Sequence, residues 1–392
     1  MIEQVPLSLG VDRLLRVWLS LGLAWMVLGM LFLPSSKLYH QGLILFLWLP
    51  GLAALHPRIW RSLSWDRWLA TIMLGFFAWS VLSIQWGGDV GHLKEMLYVA
   101  LSLQSFVLMG YLQGERFPQQ LACLALLAGL FVGWSIFEFY VLQGNALQTR
   151  LLGSGLLDQP ILAGHVIGAL GVLLWFSRQT LPGRLQGAFW LLGCALCFVF
   201  VLLTRSKGPI LAVLAALVFS CVSAHERWVR VFAGLILAIT VLAACVFPEF
   251  LMRGGLSYRP DLLRGAWELY LQHPWLGLGM GGEYQLTVLQ TGKVYEHAHN
   301  LFAHVLLQFG MPGLLLWLSM LVAIFLRLWK GRDKSLGYGV SGLLCFAVVA
   351  LLSDGVGPWV KPREEWFTVW LPVLLYFAQF SAVAADRGRQ EA

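Results

Sequence analysis

The sequence predicts an all-α, polytopic integral membrane protein with about twelve transmembrane helices. Hydrophobic residues make up 59% of the 392-residue chain and charged residues only 12%, whereas about 25% of the residues in soluble domains are charged. The apolar residues form separate runs of the length that a helix needs to cross a bilayer, roughly 17–25 residues. They do not show the short alternating pattern of barrel strands, so helices are expected.

Twelve apolar runs are the predicted membrane spans. They cover 14–33, 43–55, 68–85, 96–113, 119–142, 157–176, 188–203, 209–223, 228–247, 313–329, 337–352 and 366–381. The second run is the weakest candidate for a membrane span, and Leu38 is an alternative start for it. No small-residue cleavage site follows the first run, so we expect it to remain as an anchor.

The charges of the loops predict the orientation. Lysine and arginine concentrate in alternate loops and at both termini, and this side is expected to face the cytoplasm. An even number of spans places both termini on one side, in agreement with the charges. The cytoplasmic cations are Arg13, Arg16, Arg58, Arg61, Arg67, Arg116, Arg178, Arg184, Arg227, Arg230, Arg327, Lys330, Arg332, Lys334, Arg387 and Arg389.

Under this scheme the chain divides into three segments. Residues 1–247 form a membrane domain with the first nine spans, and 248–312 form a long outer loop with short helices. Residues 313–392 contain the last three spans and a cytoplasmic C-terminus.

The long outer loop contains two predicted short helices. The first covers 260–272, because a proline occupies its first turn and apolar residues recur at helical spacing. The second covers 300–309 and is closed by Gly310, with Pro312 following. Between them, 277–282 formally contains a GxGxxG pattern. No predicted strand precedes it, so we interpret it as a turn rather than a dinucleotide site.

Four cations are prominent on the otherwise acidic outer side. Arg205 and Lys207 share the tight turn 204–209, and Arg259 and Arg264 lie in the outer loop. Cations that repel one another need an anion, and phosphate is the natural candidate because guanidinium binds it in bidentate fashion. The sequence has no Asp-x-Asp pair to hold a metal on a diphosphate. We therefore expect lysine and arginine side chains, rather than a metal ion, to neutralise the negative charge of a diphosphate substrate. The other outer cations, Arg150 among them, are interpreted as surface charges.

His299 is the candidate proton acceptor. Imidazole is mostly neutral at pH 7, and general-base catalysis is typically worth roughly 10²–10⁴ in rate. The nearby His297 and His304 are interpreted as interface residues. A zinc site built on the His-x-His pattern is the weaker alternative, because convincing further ligands are lacking.

Two ionisable residues fall inside predicted spans, Glu138 and His165. Intramembrane ionisable groups are functional candidates by default, and Glu138 is a weak candidate for lining a cavity. Asp158 is expected to cap the helix that begins near Pro160.

Nucleic-acid binding is not expected despite the net charge of +7, because most lysines and arginines flank the spans. The six cysteines lie in apolar runs, where they are interpreted as packing residues rather than a disulfide or metal framework. No cofactor is expected.

These motifs resemble those of a known family. His299-Asn300, nine residues, Gly310, two residues and Gly313 are similar to the signature of bacterial O-antigen ligases. The turn 204–209 resembles the short arginine-containing outer turn of the wider ligase and polymerase superfamily. Residues 258–279 resemble that superfamily's Arg-x-x-x-x-Arg/Trp helix and Pro-x-x-Gly-x-Gly turn. The resemblance covers roughly the second half of the chain.

The resemblance implies a glycosyltransferase of GT-C-like architecture in the bacterial inner membrane. Such enzymes move a polysaccharide from undecaprenyl diphosphate to the lipid A–core oligosaccharide at the periplasmic face, by a metal-independent single displacement with inversion. It also implies that His299 is the catalytic base and that Arg205 and Arg259 clamp the diphosphate. Lys207 is assigned to the same diphosphate, whereas Arg264 either binds phosphate or, as we prefer, pairs with Glu268. The supporting motif residues are Asn300, Gly310, Gly313 and His297.

Three alternatives are open at this stage. An O-antigen polymerase of the same superfamily would share the arginines but use a lipid-linked acceptor. A protein O-oligosaccharyltransferase would usually carry an extra outer region at its C-terminus. A flippase or transporter would be expected to show internal repeats and broken helices at mid-membrane.

Overall fold

The computed structural model describes residues 9–224, 226–246, 258–288, 291–330 and 335–390. Within these ranges the chain is almost entirely helical. Two of the cations predicted to face the cytoplasm, Arg332 and Lys334, lie outside the described residues, as does the first part of the outer loop, 248–257.

Seven helices form the first part of the chain. They are α1 (Leu9–Phe32), α2 (Ser36–Leu55, with a π-helical turn at Ile44–Trp48 and a 3₁₀ end at Leu52–Leu55), α3 (Pro57–Ser62), α4 (Arg67–Leu82), α5 (Ile84–Gly87), α6 (Leu93–Gln113) and α7 (Arg116–Phe137, extended by a π-helical turn at Glu138–Leu142).

The described residues of the second part add nine helices and one small hairpin. The helices are α8 (Pro160–Phe176), α9 (Ala188–Leu203), α10 (Lys207–Ser223), α11 (Arg227–Val246), α12 (Arg259–Tyr270), α13 (Leu301–Lys330), α14 (Ser335–Ser353), α15 (Trp366–Val369) and α16 (Leu371–Gln390), with 3₁₀ turns at Arg178–Thr180 and Gly183–Leu185. The hairpin pairs β1 (Leu286–Thr287) with β2 (Val294–Tyr295) in antiparallel register, Leu286 opposite Tyr295. The sequence did not predict these strands.

The predicted all-helical architecture is confirmed. A helix lies at each predicted span; most ends differ by a few residues, but α2 begins seven residues before the predicted start and α16 ends nine residues after the predicted end. Among the described residues, six helices are long and apolar enough to cross a membrane, and α8, α9, α10 and most of α14 are shorter apolar helices. The number of helices that cross the membrane stays a prediction.

The start of α8 differs from the expectation. Asp158 was expected to cap this helix, but the N-cap position is Gln159 and its side chain makes no capping hydrogen bond. The helix begins instead at Pro160, whose fixed φ suits the first turn and whose missing N–H needs no partner there. Asp158 lies within electrostatic reach of Arg363.

The outer loop has its own small apolar core. Leu262, Ala266 and Tyr270 on α12 pack with Leu286 of the hairpin and Leu307 of α13. This core sets α12 beside the start of α13, so it fixes the arginine at the head of α12 relative to the histidine that precedes α13. The predicted helix over 260–272 is confirmed, with Pro260 in its first turn.

A break at Gly310 divides α13 into a short outer helix and a long span. Gly310 has φ 62° and ψ −167°, a conformation that is essentially confined to glycine. Pro312 has no N–H to donate to the Gln308 carbonyl, which accepts a 2.8 Å hydrogen bond from the Gly279 N–H instead. The Leu307 carbonyl likewise accepts from the Leu278 N–H at 2.8 Å. The predicted end of the short helix at Gly310 is confirmed.

The glycine-rich turn 277–282 therefore serves packing. Besides the two backbone bonds to α13, the Gly281 N–H donates to the Gln308 side-chain oxygen at 3.0 Å, and the Gln308 amide donates to the Gly282 carbonyl at 2.7 Å. These contacts use the peptide groups that a dinucleotide loop would present to phosphate. The turn joins the outer loop to the head of the long span.

The conformation of Gly310 predicts that an alanine at this position lowers the stability of the protein. A Cβ at this position would lie 2.2 Å from the Trp275 carbonyl oxygen. We expect Gly310→Ala to lower stability by about 1–3 kcal/mol from backbone strain alone, with the contact adding to the loss. Thermal unfolding of the purified protein in detergent measures it.

Gly144→Ala is the matched control for this prediction. Gly144 also has a positive φ, 67°, but a Cβ added there would meet no heavy atom of the described residues within 4 Å. Equal losses in the two variants would contradict a packing role for Gly310.

Candidate functional site

His299 lies in a tight bend between β2 and α13. Its φ is 47°, in the left-handed region that is uncommon for residues other than glycine. The next residue, Asn300, holds the bend in place. Its side-chain oxygen accepts from the Ala303 N–H at 3.0 Å, which caps α13, and its amide donates to the Leu352 carbonyl at 3.0 Å. Asn300 thus fastens the histidine to the end of α14.

Asp354 is the hydrogen-bond partner of His299. The distance from His299 Nδ1 to Asp354 Oδ1 is 3.0 Å, and the two side chains are 29% and 10% exposed. Asp354 follows the last residue of α14, and its N–H continues the helix by donating to the Ala350 carbonyl. A neutral histidine that donates from Nδ1 keeps Nε2 as an acceptor. The arrangement is therefore suited to accepting a proton at Nε2.

The charge of Asp354 is stabilised by its surroundings. Burial raises the pKa of its carboxyl, but the hydrogen bond from His299 and the positive influence of His165, His299 and Arg259 outweigh burial and lower the pKa below its ordinary value. The carboxylate is thus ionised at neutral pH and can stabilise a positive charge that forms on the imidazole.

Arg259 belongs to the same cluster. It is the first residue of α12, and it lies close enough to act electrostatically on both Asp354 and His165. His165 is buried in α8. His165 on α8, Arg259 on α12 and Asp354 after α14 are far apart in sequence but close enough to influence one another electrostatically.

The turn that carries Arg205 adjoins this cluster. A Cβ on Gly208 would lie 2.2 Å from the Ser353 hydroxyl and 3.7 Å from His165 Nε2, so the start of α10 packs against the end of α14. Arg205 itself has φ 52° and donates a 2.9 Å hydrogen bond to the Leu147 carbonyl. Lys207, the first residue of α10, is half-buried.

Arg150 holds the Arg205 turn. Its guanidinium donates to the Thr204 carbonyl at 2.9 Å and to the Ser206 hydroxyl at 2.8 Å. Arg150 is exposed, as the sequence interpretation expected, but it also joins the loop after α7 to the turn between α9 and α10. Nothing in its local sequence signals this role.

Asp354 was also missed as a site residue. The sequence showed it only as one of several outer acids, although its place directly after an apolar span was the available signal. The pairing with His299 spans 55 positions, and no local pattern reports such a contact.

Other candidates lie in different surroundings. Arg264 pairs with Glu268 at 3.0 Å on a solvent-exposed face of α12, as the sequence favoured. Glu138 accepts a 2.6 Å hydrogen bond from the Ser154 hydroxyl, which ties α7 to the following loop.

The two neighbouring histidines have distinct contacts. The ring of His297 packs edge-on against His299, with centroids 4.3 Å apart. Burial and the charge of His299 lower the pKa of His297. His304 shares a 2.8 Å hydrogen bond with the Tyr284 hydroxyl. Within the described ranges, no three His, Cys, Asp or Glu residues are grouped as metal ligands.

Two comparisons bear on this geometry. The family model described as O-Antigen ligase matches residues 192–318, which include the Arg205 turn, α12 and the segment from His299 to Gly313. A curated O-antigen ligase of Pseudomonas aeruginosa is 29% identical over 375 residues, covering 94% of this chain and 92% of that protein.

The depressed pKa of Asp354 predicts a pH dependence of stability. The ionised carboxylate stabilises the folded state above the carboxyl's ordinary pKa, and this stabilisation is lost as pH falls through the lower folded value. Between about pH 5 and about pH 3, we expect the wild type to lose more thermal stability than Asp354→Asn, which has no proton to gain there. Parallel losses in the two proteins would contradict this role for the carboxylate.

Proposed function

We propose that this chain is a member of the O-antigen ligase family and that it transfers a polysaccharide from undecaprenyl diphosphate to the lipid A–core oligosaccharide. The reaction is placed at the periplasmic face of the bacterial inner membrane, with both termini in the cytoplasm. The positive-inside charge pattern supports this orientation, because His299 and its cluster lie on the side poor in cations.

The hydrogen bond between His299 and Asp354 carries the proposal. In the proposed step, the acceptor hydroxyl oxygen attacks the anomeric carbon of the donor sugar while its proton passes to His299 Nε2. The bond between the anomeric carbon and the phosphate oxygen breaks, and undecaprenyl diphosphate leaves with the bonding electrons. One displacement inverts the anomeric centre. Asp354 is a positioning residue that stabilises the imidazolium.

The cations are assigned to the diphosphate. Arg259 lies within electrostatic reach of the His299–Asp354 pair, so it is placed to stabilise the charge that develops on the leaving phosphate. Arg205 and Lys207 are assigned to the same diphosphate from the neighbouring turn. Arg264 is given a minor role, because its partner is Glu268. A diphosphate leaves without needing a proton, so a single base suffices.

The remaining motif residues support the base. Asn300 fixes the bend, and Gly310 permits the break that brings turn 277–282 against α13. A Cβ on Gly313 would lie 2.2 Å from the Phe309 Cβ, so Gly313 lets the first turn of the span follow that break closely. His297 packs against the His299 ring. Twelve spans in a GT-C-like arrangement complete the proposal.

Reconstitution with two acceptors tests the function. Proteoliposomes receive undecaprenyl-diphosphate-linked polysaccharide together with lipid A–core or a second lipid-linked glycan. We expect glycosylation of lipid A–core, and a loss of roughly 10²–10⁴ in rate in His299→Ala. Glycosylation of the lipid-linked glycan alone would identify a polymerase. Full activity of folded His299→Ala would overturn the base assignment.

Donor titration tests the arginines. We expect Arg259→Ala and Arg205→Ala each to lower the rate by roughly 10²–10³, with a stronger dependence on donor than on acceptor concentration. Arg264→Ala, on the same helix but paired with Glu268, should change the rate little. Lys293→Ala in the exposed hairpin turn is the surface-charge control. Equal effects of all four variants would show that the charges act non-specifically.

A further inference from the structure

A cavity lined by cationic and apolar side chains lies at the opposite end of the bundle from His299. It has a volume of about 330 Å³ and is formed between the end of α13 and the middle and end of α16. Its lining includes Arg327 and Lys330 from α13 and Tyr376, Gln379 and Arg387 from α16. The size falls in the range of small-molecule sites, about 300–1,000 Å³.

Arg327 is held in a defined position. Its guanidinium lies 2.8 Å from the buried Asp66 carboxylate, which also accepts a hydrogen bond from the Tyr376 hydroxyl. The other Asp66 oxygen caps α4 by accepting from the Leu69 N–H at 3.2 Å. Three helices are thereby joined behind the cavity, and Arg327 does not need to reorganise to meet a ligand.

The cavity carries an excess of positive charge. Arg327, Lys330 and Arg387 line it, and none of the described residues in its lining bears a carboxylate. Asp66 behind the wall offsets only one of these cations. Lys330 and Arg387 are exposed at the rim, so an anion at the mouth would neutralise charges that otherwise repel each other.

The lining also has an apolar part and a polar acceptor. Phe380 contributes apolar surface between the two helices. The side-chain oxygen of Gln379 is buried and has no hydrogen-bond partner among the described residues. A suitable ligand would combine an anionic phosphate for the cations, a hydroxyl group to donate to Gln379, and an apolar portion to pack against Phe380.

We propose that this cavity binds the headgroup of an anionic glycerophospholipid with a hydroxyl-bearing headgroup, of the phosphatidylglycerol type. Basic pockets between transmembrane helices on the cytoplasmic side are suited to such headgroups. The phosphate lies between Lys330 and Arg387, a headgroup hydroxyl donates to Gln379, and the glycerol and acyl chains leave along Phe380. The lipid joins α13 to α16, and α13 is the helix whose other end begins beside His299. The proposal does not depend on the reaction assigned to that end.

Thermal unfolding and native mass spectrometry of the full chain in detergent test this site. Added phosphatidylglycerol should raise Tm by roughly 2–5 °C and remain bound in the spectrum, whereas phosphatidylcholine should do neither. Glycerol 3-phosphate and inorganic phosphate test for a free anion. A shift of equal size with either would overturn the lipid assignment.

Matched variants separate the cavity from the general surface charge. Lys330→Gln combined with Arg387→Gln should abolish the phosphatidylglycerol shift, while Lys330→Arg combined with Arg387→Lys should keep it. Arg58→Gln combined with Arg61→Gln removes two exposed cations from the same end of the bundle outside the cavity and should leave the shift unchanged. An equal loss of the shift in both charge-removing variants, or no selective shift in the wild type, would overturn the proposal.

Discussion

The hydrogen bond between His299 and Asp354 joins two parts of the chain that are distant in sequence and differ in secondary structure. His299 belongs to the outer loop, whereas Asp354 directly follows the apolar helix α14. Beside this 3.0 Å bond, Asn300 ties the same bend to the Leu352 carbonyl. Two adjacent residues of the loop therefore bind the last turn of α14 and the residue that follows it. This double attachment restricts the imidazole, as the role of base proposed for His299 requires.

The rest of the outer face is organised around that attachment. Breaking α13 at Gly310 leaves carbonyls without helical partners, and the glycine-rich turn supplies their donors. The turn is continuous with α12, so Arg259 is carried to the cluster by the same backbone pairing. On the other side, Gly208 allows the Arg205 turn to approach Ser353. Backbone contacts thus bring the segments that carry the cations towards the site.

The two ends of α13 show how one helix can serve two electrostatic environments. At its start, a carboxylate and a histidine lie among outer cations. At its end, Arg327 is anchored by a buried carboxylate and a tyrosine hydroxyl. Buried ion pairs do not always stabilise a fold, but losing one partner leaves a costly uncompensated charge. The Asp66 side chain is buried whereas Arg327 is 41% exposed, so it is the loss of Arg327 that would leave a buried charge uncompensated.

Much of this protein was decided by the sequence itself. Apolar runs determined where the helices lie, because only segments that pair their own peptide groups are stable in lipid. Gly310 and Pro312 determined where the short outer helix ends, because both act on the local backbone. The histidine motif and the outer arginines were likewise recognisable, since they are unusual in their surroundings. Tertiary structure alone decided that Asp354 binds His299, that Arg150 holds the Arg205 turn, and that Asp158 does not cap α8. These contacts join residues distant in sequence or depend on competing geometries, and a charge pattern along the chain does not record which side chains meet in space.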